Sequence, residues 1–142
     1  MAAAWMFTDS TLQAQLEAWL DVIRTTADWK CRLYVNDYTP VPTSSEPDFT
    51  EASFAGYLEV TVDASLFPFP TVTDHVAIST STQEVSFEAD ASGVSPQTVY
   101  GYYVVDDSDT LIYAERWTDS YTVTNGVKLD LILKLKHKTA TP

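Results

Sequence analysis

The chain has 142 residues, 45% apolar and 13% aromatic, with 20 acidic against 8 basic side chains and a net charge of −12. That length suits one domain with a single core, and the composition is too apolar for disorder. No apolar run reaches the roughly 18 residues of a membrane span, and the carboxylate excess repels a phosphate backbone, so neither a membrane nor a nucleic acid is an expected partner.

The lone cysteine, Cys31, excludes an internal disulfide, and His75 and His137 lie too far apart in sequence to suggest a metal-ligand spacing, so no metal or cofactor is expected. Charge is unevenly spread. From Asp37 to Asp119 there are fifteen acidic residues and one basic, Arg116, whereas Ser120 to Pro142 holds four lysines against Asp130. A basic C-terminal strand of this kind either meets an acidic surface on a partner or neighbouring copy, or presents solvated lysines that protect a sheet edge.

The opening MAAAWMF is apolar but short, without the basic start and cleavage pattern of a signal peptide; residues 1–8 are expected to form an arm. A helix is predicted within 9–26, its body from about Thr11 to Arg24, because Leu12, Leu16, Trp19, Leu20 and Ile23 recur at spacings of three and four. Ser10 and Gln13 stand at capping-box spacing. The period then changes to two. KCRLYVN predicts a half-buried strand with Cys31, Leu33 and Val35 on one face and Lys30, Arg32 and Tyr34 on the other, which makes Cys31 an inert core residue.

NDYTPVPTSSEP is a loop, and DFTEASFAGY follows it. In this stretch Asp48 is expected to cap one short turn with Glu51 at its N3 position, Gly56 to take positive φ, and Phe49, Phe54 and Tyr57 to peg the turn to the core. Further strands are predicted in YLEVTV, HVAIST, QEVSFEA, VYGYYVVD, TLIYAERW, SYTVT and VKLDLILKLKHK, which with the first makes about eight. VVDDSDTLIY predicts a hairpin through Asp107, Ser108 and Asp109, and Asn125-Gly126 in VTNGVKL predicts another. In the last strand Leu129, Leu131, Leu133 and Leu135 face one way and Lys128, Asp130, Lys134 and Lys136 the other. The fold expected is mainly β: an antiparallel β-sandwich over 30–137, a jelly roll being one form of it, with one N-terminal helix and a tail at 138–142, in one domain.

Candidate chemistry is thin. Asp106, Asp107 and Asp109 share a turn that could hold calcium, but the loop lacks the glycine and distal glutamate of an EF-hand. Asp74 and His75 adjoin as in a hydrolytic triad, yet neighbours on a strand face opposite ways and no G-x-S-x-G is present. Glu84, Glu88 and Asp90 could pair for glycoside hydrolysis, although paired carboxylates are expected on any chain this acidic. Tyr100, Tyr102, Tyr103, Tyr113 and Trp117 are the more unusual feature, since aromatics on an outer sheet face suit a protein interface or a sugar platform.

CRLYVNDYTPVP, DFTEASFAGY, VYGYYVVDDSDTLIYAERW and a V-x-x-G-V-x-L-x-L ending together resemble a family of small uncharacterised proteins of tailed bacteriophages and prophages. The resemblance runs from about Lys30 to Leu135, with Tyr113 where that family commonly has tryptophan and Trp117 where it has phenylalanine. It brings no catalytic residue with it and implies a non-enzymatic virion part, made in the host bacterial cytoplasm. The reading is a capsid decoration or cement protein contacting the major capsid protein or other virion proteins, itself a closed homo-oligomer such as a trimer. A tail, neck or baseplate component and a carbohydrate-binding attachment module are the alternatives. Candidate interface residues are Trp5, Phe7, Tyr100, Tyr102, Tyr113, Trp117, Lys134, Lys136 and Lys138.

Overall fold

Seven strands and one N-terminal helix form the regular structure of residues 7–24 and 28–138, the part that the computed structural model describes, without the side chains of Ile23 and Lys138. In chain order they are α1 (Asp9–Arg24), β1 (Trp29–Tyr34), β2 (Val60–Val62), β3 (Thr71–Thr73), β4 (Val76–Glu88), β5 (Gln97–Val105), β6 (Leu111–Val123) and β7 (Lys128–Lys138). The strands make two antiparallel sheets, ordered β2-β1-β5-β6 and β3-β4-β7. The protein is thus mainly β with a single helix, as its periodicities predict.

The strand count differs from about eight for identifiable reasons. HVAIST and QEVSFEA are one strand, β4, because Thr80 and Thr82 are β-branched and continue the ladder where a break is expected. TLIYAERW and SYTVT likewise join as β6, across a bulge: Val99 pairs with Tyr121 but Gly101 pairs with Arg116, so β6 has more residues than β5 in that interval. The three residues of β3 carry too short a pattern to be read.

The chain's contacts divide it into two compact units, one of 1–26, 63–84 and 132–142, the other of 27–62 and 85–131. In the first, α1 buries Leu12, Leu16 and Leu20, while Trp19 is 39% exposed. The helix begins two residues before Thr11, and its cap is not the predicted box: the Thr8 hydroxyl accepts from the Thr11 amide at 3.3 Å, and Gln13 donates instead to the Pro70 carbonyl at 2.6 Å. A 3-10 turn at Ala64–Leu66 follows Asp63, and Pro68 and Pro70 then leave the chain up to β3 short of backbone donors. Side chains satisfy its carbonyls, with Arg24 on Phe67, Ser79 on Pro68 and Thr82 on Leu66. That use accounts for the nearly complete burial of Ser79, a polar residue. In β7, Leu133 and Leu135 are buried and Ile132, Lys134 and Lys136 exposed, the alternation that its sequence predicts.

In the second unit β1 is a central strand, paired to β2 on one side and β5 on the other. It is buried on both faces, Tyr34 completely and Arg32 to 8% exposure, rather than half-solvated as alternation predicts. The β5–β6 hairpin forms as predicted, the Asp106 carboxylate accepting from the Ser108 and Thr110 amides. Asn125-Gly126 does form a turn but not a hairpin, since β6 and β7 belong to different sheets. Its amides and side chain bond across to other loops instead, Gly126 N–H to the Asp90 carbonyl and Asn125 Oδ1 from the Val94 N–H.

DFTEASFAGY is the aromatic hub of this unit. Phe49 stacks on Tyr103 at 4.8 Å and meets Tyr34 and Tyr38 edge-on at 5.1 and 5.3 Å. Phe54 packs edge-on against Tyr57, and Tyr57 stacks on Phe87 of β4. Such pairs each add about 0.5–1.5 kcal/mol beyond their buried area. Gly56 does take positive φ, at 91°, and sits so close to Asp90 that a side chain there meets the Asp90 amide at 2.7 Å.

Candidate functional site

The densest polar arrangement surrounds Arg32, the one charged residue that β1 buries. Burial works against its charge, but hydrogen bonds to Glu59 and Asp109 and the nearby Glu51 outweigh that, and the guanidinium is held above its ordinary pKa. Nε lies 2.7 Å from Glu59 and 3.7 Å from Glu51, Nη1 3.4 Å from Glu46, and Nη2 2.7 Å from Asp109. The planar fork of arginine suits this multidentate role, which a lysine point charge does not. Tyr103 places its buried hydroxyl beside the cluster without a hydrogen bond of good geometry to any described residue; burial, partly offset by Arg32, pushes its pKa up to about 12. Four carboxylates around one guanidinium form a structural knot.

The predicted capping roles change partners here. Asp48 closes the turn as its N3 residue, accepting from the Ser45 amide at 2.8 Å, so the cap is Ser45, three residues upstream. Glu51 is not a cap: it accepts the Tyr57 hydroxyl at 2.9 Å and faces Arg32. The lone arginine in an apolar strand was the available signal for this cluster, and alternation alone sends it to solvent.

A second arrangement lies along β6. The Tyr102 and Tyr113 hydroxyls both donate to Glu115 Oε2, at 2.9 and 3.3 Å, and burial drives the Tyr113 pKa up to about 12. Tyr102 is only 3% exposed, so it presents no ring for a sugar to stack on. Tyr100 is half-buried beneath the Arg116 guanidinium, 5.3 Å from its ring centre, and Arg116 pairs with Asp37 at 2.6 Å. Beside these, a groove of about 370 Å³ runs between Pro40, Val41 and Pro42 of the loop and Leu111, Ile112 and Tyr113 of β6. Val41 is 52% exposed. The sequence signal for this groove is one valine between two prolines in a segment whose composition otherwise marks only a loop.

Of the remaining candidate interface residues, Phe7, Lys134 and Lys136 are exposed and Trp117 is half-buried, while Trp5 and the Lys138 side chain lie outside the described residues, as does most of each predicted arm. In the candidate calcium turn Asp106 accepts from backbone amides and Asp109 from Arg32, while Asp107 is exposed. Asp74 and His75 are not on a strand but form the β3–β4 turn, both at positive φ, and His75 Nδ1 bonds Asp9 at 2.8 Å rather than a serine. Glu84, Glu88 and Asp90 are each exposed. Among the described residues no group of three or more His, Cys, Asp or Glu side chains is arranged to hold a metal ion, and no described helix is long and apolar enough to cross a membrane.

Comparison of the chain with protein-family models, with curated proteins and with solved structures finds no match to any of them.

Proposed function

We propose that the protein is a non-enzymatic structural component of a tailed-phage virion, a decoration or cement subunit that stabilises the capsid shell through protein–protein contacts. The observation that carries this reading is where the chain uses its distinctive residues. Phe49, Glu51, Phe54 and Tyr57 are all engaged inside the fold, and the resemblance of DFTEASFAGY and VYGYYVV to small phage proteins supplies the setting. A further support is the apolar surface that remains: Phe7, Val41, Leu58, Phe69 and Ile132 are each more than half exposed, which suits a subunit covered in an assembly.

In this reading the subunit spans joints between shell proteins and adds contacts that resist internal pressure from packaged DNA. Its acidic body keeps it off the genome. Quantitative mass spectrometry of purified virions tests it. A copy number on the scale of the shell protein is expected; a copy number on the scale of a single tail or baseplate ring moves the protein to the tail, and absence from washed virions overturns the structural role.

A further inference from the structure

The two sheets end on unlike strands. β6 closes the order β2-β1-β5-β6 and β7 closes β3-β4-β7, so among the described residues each has a strand neighbour on one side only. Long open edges of this kind are normally blunted or covered. Beside the first residues of β6 is the groove, with Val41 standing half in solvent and exposed Asp107 in the turn that leads into Leu111. That turn carries Asp106, Asp107 and Asp109 and no basic residue. On β7 the outward face is the converse: Ile132, 56% exposed, is followed at alternate positions by Lys134 and Lys136, both exposed and neither ion-paired with any described residue. Three alternate positions span about 13 Å of strand, so one apolar side chain and two cations sit in a row.

We infer that the occupant of the β6 groove is the β7 face of a second copy of this chain, Ile132 seating between Val41 and Ile112 while Lys134 and Lys136 lie over the acidic ground around Asp107. This deepens the assembly role proposed above and rests on it only for its setting. Peg and socket are different surfaces, so each copy carries one of each, and a single contact between two copies leaves the second peg and socket free unless a two-fold axis pairs them as well. The apolar seat gives a hold, and the opposed charges give orientation and rate. One groove and one strand face bury less than the roughly 1,000 Å² of a stable interface. The association is therefore weak, concentration-dependent and salt-sensitive.

Sedimentation equilibrium of the purified chain at low and high salt tests this, with circular dichroism to verify folding of each variant. Oligomers are expected at low salt and should dissociate as salt is raised. A peg variant, Lys134→Glu with Lys136→Glu, and a socket variant, Val41→Asp, should each weaken association by at least about tenfold, through reversed or buried charge. Mixed, the two should recover heterodimers, since the socket variant keeps an intact β7 and the peg variant an intact groove. A chain that stays monomeric at about 1 mM in low salt, or variants that associate like the wild type, would sink the contact and leave the lysines as edge protection alone. A monomer that is nevertheless abundant in virions overturns this contact without touching the assembly role, and an oligomer absent from virions does the reverse.

Discussion

Arg32 Nη2 and Asp109 Oδ1 lie 2.7 Å apart, joining central strand β1 to the tip of the β5–β6 hairpin across 77 positions of sequence. Glu46, Glu51 and Glu59 approach the same guanidinium from three other points of the chain. One cation therefore fastens the loop, the aromatic hub, the approach to β2 and the hairpin turn to a strand buried from Cys31 to Tyr34.

Replacing Arg32 with methionine should destabilise the protein by about 3 kcal/mol, the low end of what removal of one partner from a buried pair costs. The low end applies because the four carboxylates are between 31% and 58% exposed and can rehydrate, while Glu51 keeps the Tyr57 hydroxyl and Glu59 keeps Lys30 at 3.6 Å. Arg32→Lys should recover less than half of the loss, since an ammonium cannot reach Glu59 and Asp109 together. Urea unfolding followed by tryptophan fluorescence gives both numbers, and a methionine variant as stable as the wild type would show the cluster to be decoration.

Gly101 carries a different constraint. It faces the β1–β5 pairing where Tyr34 crosses, and a Cβ there collides with the Glu115 carbonyl and sits 2.9 Å from the Tyr34 ring. Backbone and a fully buried ring cannot yield cheaply, so Gly101→Ala should cost more than about 4 kcal/mol, in the range reserved for overpacking of a core. Exposed Ser120→Ala on the adjacent strand should stay within about 0.5 kcal/mol. Thermal melts of the two variants side by side separate a steric cost from a general weakness of β6.

The His75–Asp9 contact sets a pH-dependent expectation. The hydrogen bond to Asp9, and then its charge, raise the imidazole pKa above 6.5. A folded-state pKa above the unfolded one means that the pair stabilises fully below about pH 6.5 and loses that contribution as pH rises through the folded value. His75 is 82% exposed, so the stability effect is small and screened by salt. NMR titration is the better readout: the His75 midpoint should lie above the usual histidine value and fall on Asp9→Asn, and a midpoint unmoved by that substitution would dissolve the pair.

How much of this was legible in the sequence depends on the range of the signal. The helix, β1, β5, β7 and the β5–β6 turn rest on local periodicity or on a side chain bonding its own backbone, and each lies where residue spacing puts it. Asn125-Gly126 shows the limit. Its dipeptide specifies a turn, but whether the flanking strands pair is decided by other segments, here the Asp90 carbonyl and Val94 amide that capture it. Arg32 was sent to the solvent face because alternation cannot see four carboxylates drawn from positions 46 to 109. Tyr102 is an interface candidate by sequence because its burial and its bond to Glu115 depend on register with β6, which local spacing does not reveal.

Cys31 offers a probe of how tightly this packing is held. It is fully buried in β1, and burial pushes its thiol up to about 12, so in the native state it is neither reachable nor ionised near neutral pH. Labelling by a thiol-specific disulfide reagent should therefore be negligible in the native protein over the time that completes it in concentrated guanidinium chloride. Under conditions where opening and reclosing are fast relative to labelling, the Arg32→Met variant should label faster by the factor that its lost stability sets, because both residues sit on the same central strand and open together. Rapid labelling of the wild type would mean that β1 opens locally, without the unfolding of its sheet, and that the Arg32 knot does not hold the strand it is anchored to.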